Sequence, residues 1–156
     1  MQTEVLERVG SVVSDVMERF AYVFGEPVEK HTLPVPSEEL WLTSIRWSGT
    51  NAGSMKMAAP AALGSVLAAN LLGIESDEEG AQERAADAFK EMLNVICGHL
   101  CTELGREGGF FDLDTPDLSP FTAAQWAALS GEEDCVTFAV DDHPLLLRFA
   151  WEDRAA

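Results

Sequence analysis

Between Ser76 and Gly105 the chain carries the longest unbroken helical repeat in its sequence. At 100° per residue, Leu93, Ile96, Leu100 and Leu104 all fall within about 60° of Phe89, a single apolar stripe. A periodicity held this long predicts one helix over 77–104, closed by Gly105, with Ser76 and Glu79 at the spacing of a capping box. A long helix with one apolar stripe needs a broad apolar surface to lie on, and the remaining elements have to supply it.

They read as follows. Val5, Val9, Val12, Val13, Val16, Phe20 and Phe24 recur at helical spacing, predicting a helix over 4–24 that Gly25 and Pro27 end. A weak strand is expected over 28–33. A better one is expected over 40–47, with Trp41, Thr43, Ile45 and Trp47 on one face, returning after Gly49-Thr50-Asn51 as 52–59. Pro60 suits the first turn of a helix whose face is Leu63, Val66, Leu67 and Leu71 and whose stop is Gly73. After Gly108-Gly109 the text is extended. A short helix over 122–129, boxed by Thr122 and Gln125, then leads to a hairpin in which Val136, Phe138 and Val140 alternate, 141–144 turn, and Leu145, Leu147, Phe149 and Trp151 alternate. Hairpin-linked strands beside grouped helices give the α+β class, a layered domain with a largely antiparallel sheet packed against long helices. The 156 residues are expected to form one domain, 1–156.

Charge narrows the partners. Ten Lys and Arg against 27 Asp and Glu leave a formal net charge of -17. Nucleic acid and anionic membrane surfaces both need a basic face, so neither is an expected partner. There is no apolar run of membrane-spanning length and no signal-peptide pattern. The three cysteines, Cys97, Cys101 and Cys135, are an odd number. The expectation is a cytoplasmic protein with reduced thiols.

The long helix has a second face. Asp87, Glu91, Asn94 and Gly98 fall roughly 140–200° from Phe89, opposite the core stripe. Asn costs about half a kcal/mol against Ala in a helix interior and Gly about 1 kcal/mol, so both are unusual on a merely solvated face. Gly98, one turn beyond Asn94, leaves room for an approaching backbone.

Glu91-Met92-Leu93-Asn94, within FKEMLNVICGHL, resembles the E-x-x-N motif of the CheC/CheX/FliY chemotaxis phosphatases. Leu93, Asn94, Ile96 and Gly98 stand in similar company, with Cys97 where a small residue is usual. Residues 52–74, a small-residue strand running into a helix that ends Leu-Leu-Gly, resemble the segment before the motif helix. The resemblance is good over about 45–105 and looser over 110–151, where TPDLSP resembles the family's Ser/Thr-Pro strand. Only one motif is evident, since Asn70 is preceded three residues earlier by Leu67 and not by Glu, so the chain is similar to the single-motif CheX type.

What the resemblance implies is dephosphorylation of a CheY-like response regulator, an aspartyl-phosphate hydrolysis in which the partner brings the acidic site and Mg²⁺ and this chain binds no cofactor. Asn94 would orient the attacking water. Glu91 would dock to a lysine of the regulator, Gly98 would make room for its loops, and Asp87, on the same face, would be a solvated charge within the contact. A homodimer through sheet edges is also implied. The alternative is a non-catalytic adaptor of the same fold that binds a response regulator or a flagellar-switch protein; a small-molecule enzyme ranks third, because no acid–base pair is visible.

Other candidates are weaker. Cys97 and Cys101, at i and i+4, diverge from His99 by roughly 160–200° and read as small, half-buried packing residues, not metal ligands. Asp112, Asp114 and Asp117 lack the glycine and terminal glutamate of a calcium loop and read as a solvated loop. His31 and His143 have no acid or nucleophile partner in the sequence.

Overall fold

The computed structural model describes residues 3–30, 32–105 and 108–152. The order is α1 (Thr3–Ala21), β1 (Gly25–Val28), β2 (Leu40–Gly49), β3 (Ala52–Pro60), α2 (Ala61–Leu72), α3 (Glu79–Leu104), β4 (Phe111–Leu113), β5 (Asp117–Phe121), α4 (Ala123–Ser130), β6 (Cys135–Val140) and β7 (His143–Glu152). Seven strands form one sheet in the order β1-β6-β7-β3-β2-β4, and β5 also pairs β2. Every pairing is antiparallel. The expected α+β class with an antiparallel sheet is the observed one.

Alternation along the strands sets the layers. Thr43, Ile45 and Trp47 of β2 lie opposite Met57, Met55 and Gly53 of β3, and these in turn opposite Leu147, Phe149 and Trp151 of β7. This face is buried with Val9, Val13 and Met17 of α1, Leu63 and Leu67 of α2, and Phe89, Leu93, Ile96 and Leu100 of α3. Each such side chain contributes roughly 1.5–3 kcal/mol on full burial. α2 and α3 approach closely because Gly64 has no side chain: a Cβ there would stand 2.9 Å from the Ala85 carbonyl oxygen. On the opposite face Trp126 and Leu129 of α4 pack on Leu40, Ala58, Cys135 and Leu146. α4 starts with the expected capping box, Gln125 N–H to Thr122 Oγ1 at 3.1 Å and Thr122 N–H to Gln125 Oε1 at 2.8 Å.

Several local expectations are corrected. α1 ends at Ala21, not Phe24, because Tyr22 adopts a left-handed backbone (φ 55°). The strand expected over 28–33 is instead Gly25–Val28; among the described residues β1 pairs only β6, and Pro27 is tolerated on that edge because its missing N–H is not needed. His31 lies outside the described residues. Pro60 closes β3 and precedes α2, where it was expected in the helix's first turn, and Leu71 of the expected apolar face is 42% exposed. The Ser76–Glu79 capping box does not form. α3 starts at Glu79, and the Glu78 carboxylate accepts the Glu75 N–H at 2.8 Å. The last hairpin turns on two residues, Asp141 and Asp142, both with positive φ, so His143 already belongs to β7. Cys97 and Cys101 are fully buried in the core, not half-buried.

Candidate functional site

α3 is held down by Phe89, Met92, Leu93, Ile96, Cys97 and Leu100, all at most 1% exposed. That burial fixes the rotation of the helix and leaves the motif face outward. Asp87 and Glu91 are exposed, and Asn94 and Gly98 are half-buried. Glu91 and Asn94 sit one turn apart on one face, as i and i+3 positions must.

The face is not a bare helix surface. Asp87, Lys90, Glu91 and Asn94 form one wall of a cleft of about 470 Å³, and Leu113, Asp114, Thr115 and Pro116 form the other. The second wall, the end of β4 and the turn after it, is held in place by β2. Trp47 and Leu113 are register partners, and the Asp114 N–H donates to the Arg46 carbonyl at 2.9 Å, which holds the β4–β5 turn beside α3. A Cβ on Gly98 would meet Leu113 Cδ1 at 3.9 Å. Leu113 of β4 thus borders the space at Gly98 without filling it, since 3.9 Å is ordinary van der Waals contact even for an added Cβ.

The charges are uneven. Asp87, Glu91 and Asp114 face one cation, Lys90, whose Nζ stands 3.8 Å from Asp87 Oδ1. That loose, largely exposed pair is worth little. Among the described residues Glu91 makes no ion pair and the Asn94 amide no hydrogen bond, so an acceptor and a donor are both available at Asn94. Asp114 was expected in a solvated loop; it lines the cleft instead. Lys90, Leu113, Thr115 and Pro116 were not singled out as site residues, although TPDLSP carried the signal for Thr115 and Pro116.

The other candidates stay apart. Cys97 and Cys101 contact each other inside the core; hydrogen bonding to Cys101 and then burial push the Cys97 thiol up. His99 is exposed on the same helix. Among the described residues no group of three or more His, Cys, Asp or Glu is placed to hold a metal, and no helix is long and apolar enough to cross a membrane. Asn70, the counterpart of Asn94 on α2, donates its amide to the Ala21 carbonyl at 2.9 Å and makes a longer contact to the Tyr22 carbonyl at 3.5 Å.

Comparison with known proteins places the fold. The fold superposes on a chemotaxis protein CheX from Desulfovibrio desulfuricans at a TM-score of 0.65 and 16% identity, covering 96% of this chain and 99% of that one. CheX from Vibrio vulnificus gives 0.67 and 19%, covering 96% and 97%. A chain of the CheX-CheY-BeF3-Mg²⁺ complex from Borrelia burgdorferi gives 0.63 and 18%, covering 97% and 99%. No curated protein matches in sequence. The family described as chemotaxis phosphatase CheX matches residues 42–138, well over half of the chain and all of the cleft, and the protein belongs to that family.

Proposed function

We propose that this chain is a cytoplasmic phosphatase, a single CheX-like unit that hydrolyses the aspartyl phosphate of a CheY-like response regulator at the cleft between α3 and the β4–β5 turn. The observation that carries this reading is the joint placement of Glu91 and Asn94, both unengaged among the described residues, on one wall of an open cleft in a chain of the CheX family. The Borrelia burgdorferi complex supports the class of partner, since beryllofluoride is a tetrahedral stand-in for a phosphoryl group and is held there with CheY and Mg²⁺.

In the proposed reaction a water oxygen attacks phosphorus in line, the P–O bond to the regulator's aspartate breaks and leaves a carboxylate, and both water protons leave with the inorganic phosphate. Such a step is accelerated mainly by orientation and by cations on the phosphoryl oxygens. Asn94 suits the first task. Its carboxamide accepts a hydrogen bond from the water and can donate one to a phosphoryl oxygen, and it has no charge to repel the group. The cations come from the partner, which is where Mg²⁺ is expected; three carboxylates and one lysine in the cleft favour a phosphoryl group already neutralised by its own protein. Glu91 docks by pairing with a basic side chain of the regulator, with Asp87 adding to the same field.

The test is decay of a phosphorylated response regulator from the same source, with Mg²⁺ and increasing amounts of this protein. Acceleration lost in Asn94→Ala supports the enzyme. Binding of the regulator without acceleration by the wild type replaces it with the adaptor reading.

A further inference from the structure

We infer that the surface formed by the C-terminal ends of α1 and α2 and by the β6–β7 turn docks a basic, amphipathic segment of another protein. It shares no residue with the cleft and does not depend on the phosphatase reading.

Six large apolar side chains are exposed among the described residues, and four belong to this surface: Tyr22 (68%), Phe24 (71%), Leu71 (42%) and Leu72 (49%). Their backbones are fastened to one another. The Asn70 amide donates to the Ala21 carbonyl at 2.9 Å, tying the end of α2 to the end of α1. The Phe24 N–H donates to Asp141 Oδ1 at 3.1 Å, and the Asp141 N–H donates to the Phe24 carbonyl at 3.1 Å, tying the same segment to the hairpin turn. The rings are thus displayed on a fixed frame. Tyr22 also holds a left-handed backbone that a bulky residue adopts only at a cost. A ring left in water on such a backbone adds nothing to this fold, whereas the same ring covered by a partner supplies a large apolar contact with few rotamers to freeze.

The rim says what covers it. Phe24 lies in a depression of about 520 Å³ with Glu18, Glu26, Asp141 and Asp142, and among the described residues no Lys or Arg lines it. Arg19, the cation of the last turn of α1, is turned back onto Asp15 at 3.5 Å. An apolar anchor among carboxylates, Phe24, with the exposed Tyr22, Leu71 and Leu72 on the adjoining helix ends, fits a segment with apolar side chains on one face and Lys or Arg beside them. A second copy fits poorly, because a symmetric contact would set each acidic ring against itself between chains that each carry -17. An anionic membrane is repelled by the same ring.

The probe is a fluorescent Leu/Lys peptide, amphipathic over about five helical turns, with a Leu/Glu peptide of the same order as its counterpart. Both are titrated with the full chain by fluorescence anisotropy. The Leu/Lys peptide is expected to bind at least about tenfold more tightly, and added salt should weaken it. Phe24→Ser leaves the net charge unchanged and should weaken that binding by about tenfold, the loss of one interface anchor. Phe110→Ser, an equally exposed aromatic elsewhere (69%), should leave it unchanged. If Phe24→Ser melts early, Tyr22→Asn carries the test, because Asn accepts the left-handed backbone. Equal binding by the Phe24 or Tyr22 variant and the wild type, no preference for Lys over Glu, or no binding overturns the proposal. So does self-association of the wild type in sedimentation that Phe24→Ser abolishes, which would make the surface an interface between copies.

Discussion

Replacing Asn94 separates a functional residue from a structural one, because its two expected effects have opposite signs. The side chain is half-buried, faces the cleft and makes no hydrogen bond among the described residues. Removing it therefore leaves no buried partner stranded. Ala gains about 0.5 kcal/mol of helix propensity over Asn, which for a chain of this size raises Tm by about 1–2 °C. If the amide orients the attacking water, the same change removes one preorganised polar group from the transition state, a loss of roughly 10²–10³-fold in turnover, about 2.7–4 kcal/mol. Asn94→Asp is nearly isosteric but adds a fourth carboxylate to a cleft that already holds Asp87, Glu91 and Asp114. A carboxylate about 4 Å from a phosphoryl charge costs from about 1 to about 4 kcal/mol, depending on how well water screens the cleft, so this variant should also be inactive. The assay is phosphoregulator decay across a range of phosphatase concentrations, so that turnover and half-saturation are obtained separately, with a thermal melt of each variant. An Asn94→Ala protein that turns over like the wild type refutes the role assigned to the amide. A variant that is inactive and also melts early refutes the premise that Asn94 carries no structural load.

Glu91→Ala should fold normally and lose activity mainly through half-saturation, which rises as the regulator's basic side chain loses its partner; a drop in saturated turnover with unchanged binding would place Glu91 in the chemistry instead. Thr43→Val should stabilise the protein by about 1–2 kcal/mol in denaturant unfolding, because the Thr43 hydroxyl is fully buried and makes no hydrogen bond among the described residues. Burial pushes the Cys135 thiol up from 9.0 to about 12, and contact with Cys101 followed by burial raises Cys97. These raised values contribute stability that is complete below the ordinary thiol range and is lost as pH rises past about 9, by up to about 1.4 kcal/mol per pH unit for each thiol. Unfolding at a series of alkaline pH values should show that decline, and a flat profile would mean the thiols ionise without cost.

What could be read from the sequence was what local periodicity dictates. The rotation of α3 follows from the spacing of Phe89, Leu93, Ile96 and Leu100, so the outward placement of Glu91 and Asn94 was visible before any fold. The hairpins were equally visible from alternation. Capping chemistry was less so. Thr122 and Gln125 make their box, whereas Ser76 and Glu79, with the same spacing, do not. After α2 the chain is already committed: Gly73 is left-handed, the Ile74 N–H returns to the Ala69 carbonyl at 3.0 Å, and the turn closes through Glu75 and Glu78. The far wall of the cleft was hidden for another reason. Leu113 to Pro116 reach α3 only because a three-residue strand pairs with β2, more than sixty residues earlier in the chain, and no local pattern reports such a pairing. Phe24 continues the spacing of α1, but the helix stops at Ala21 and leaves that ring exposed.

Asn70 and Asn94 show why one helix of the α2–α3 pair can carry a site and the other cannot. By sequence alone α2 lacks only a glutamate at position 67 to repeat the spacing of Glu91 and Asn94, which reads as a site one substitution from activity. The packing argues otherwise. A helix end leaves carbonyls without intrahelical partners, and at Asn70 the end of α1 supplies them; the amide that would have faced a ligand is spent on Ala21. Leu67, where the carboxylate would stand, is 1% exposed and belongs to the core with Val13 and Phe89. At Asn94 the opposing wall is Leu113 of β4 and the turn that follows it, and the amide stays open to the cleft. Leu67→Glu should therefore create no second site. It should bury an unpaired carboxylate and destabilise the fold by several kcal/mol. Combined with Asn94→Ala it should give no phosphatase activity at any concentration tested. Denaturant unfolding and the decay assay together check this: a stable, active double variant would mean that α1 moves aside and that the first helix retains a latent site.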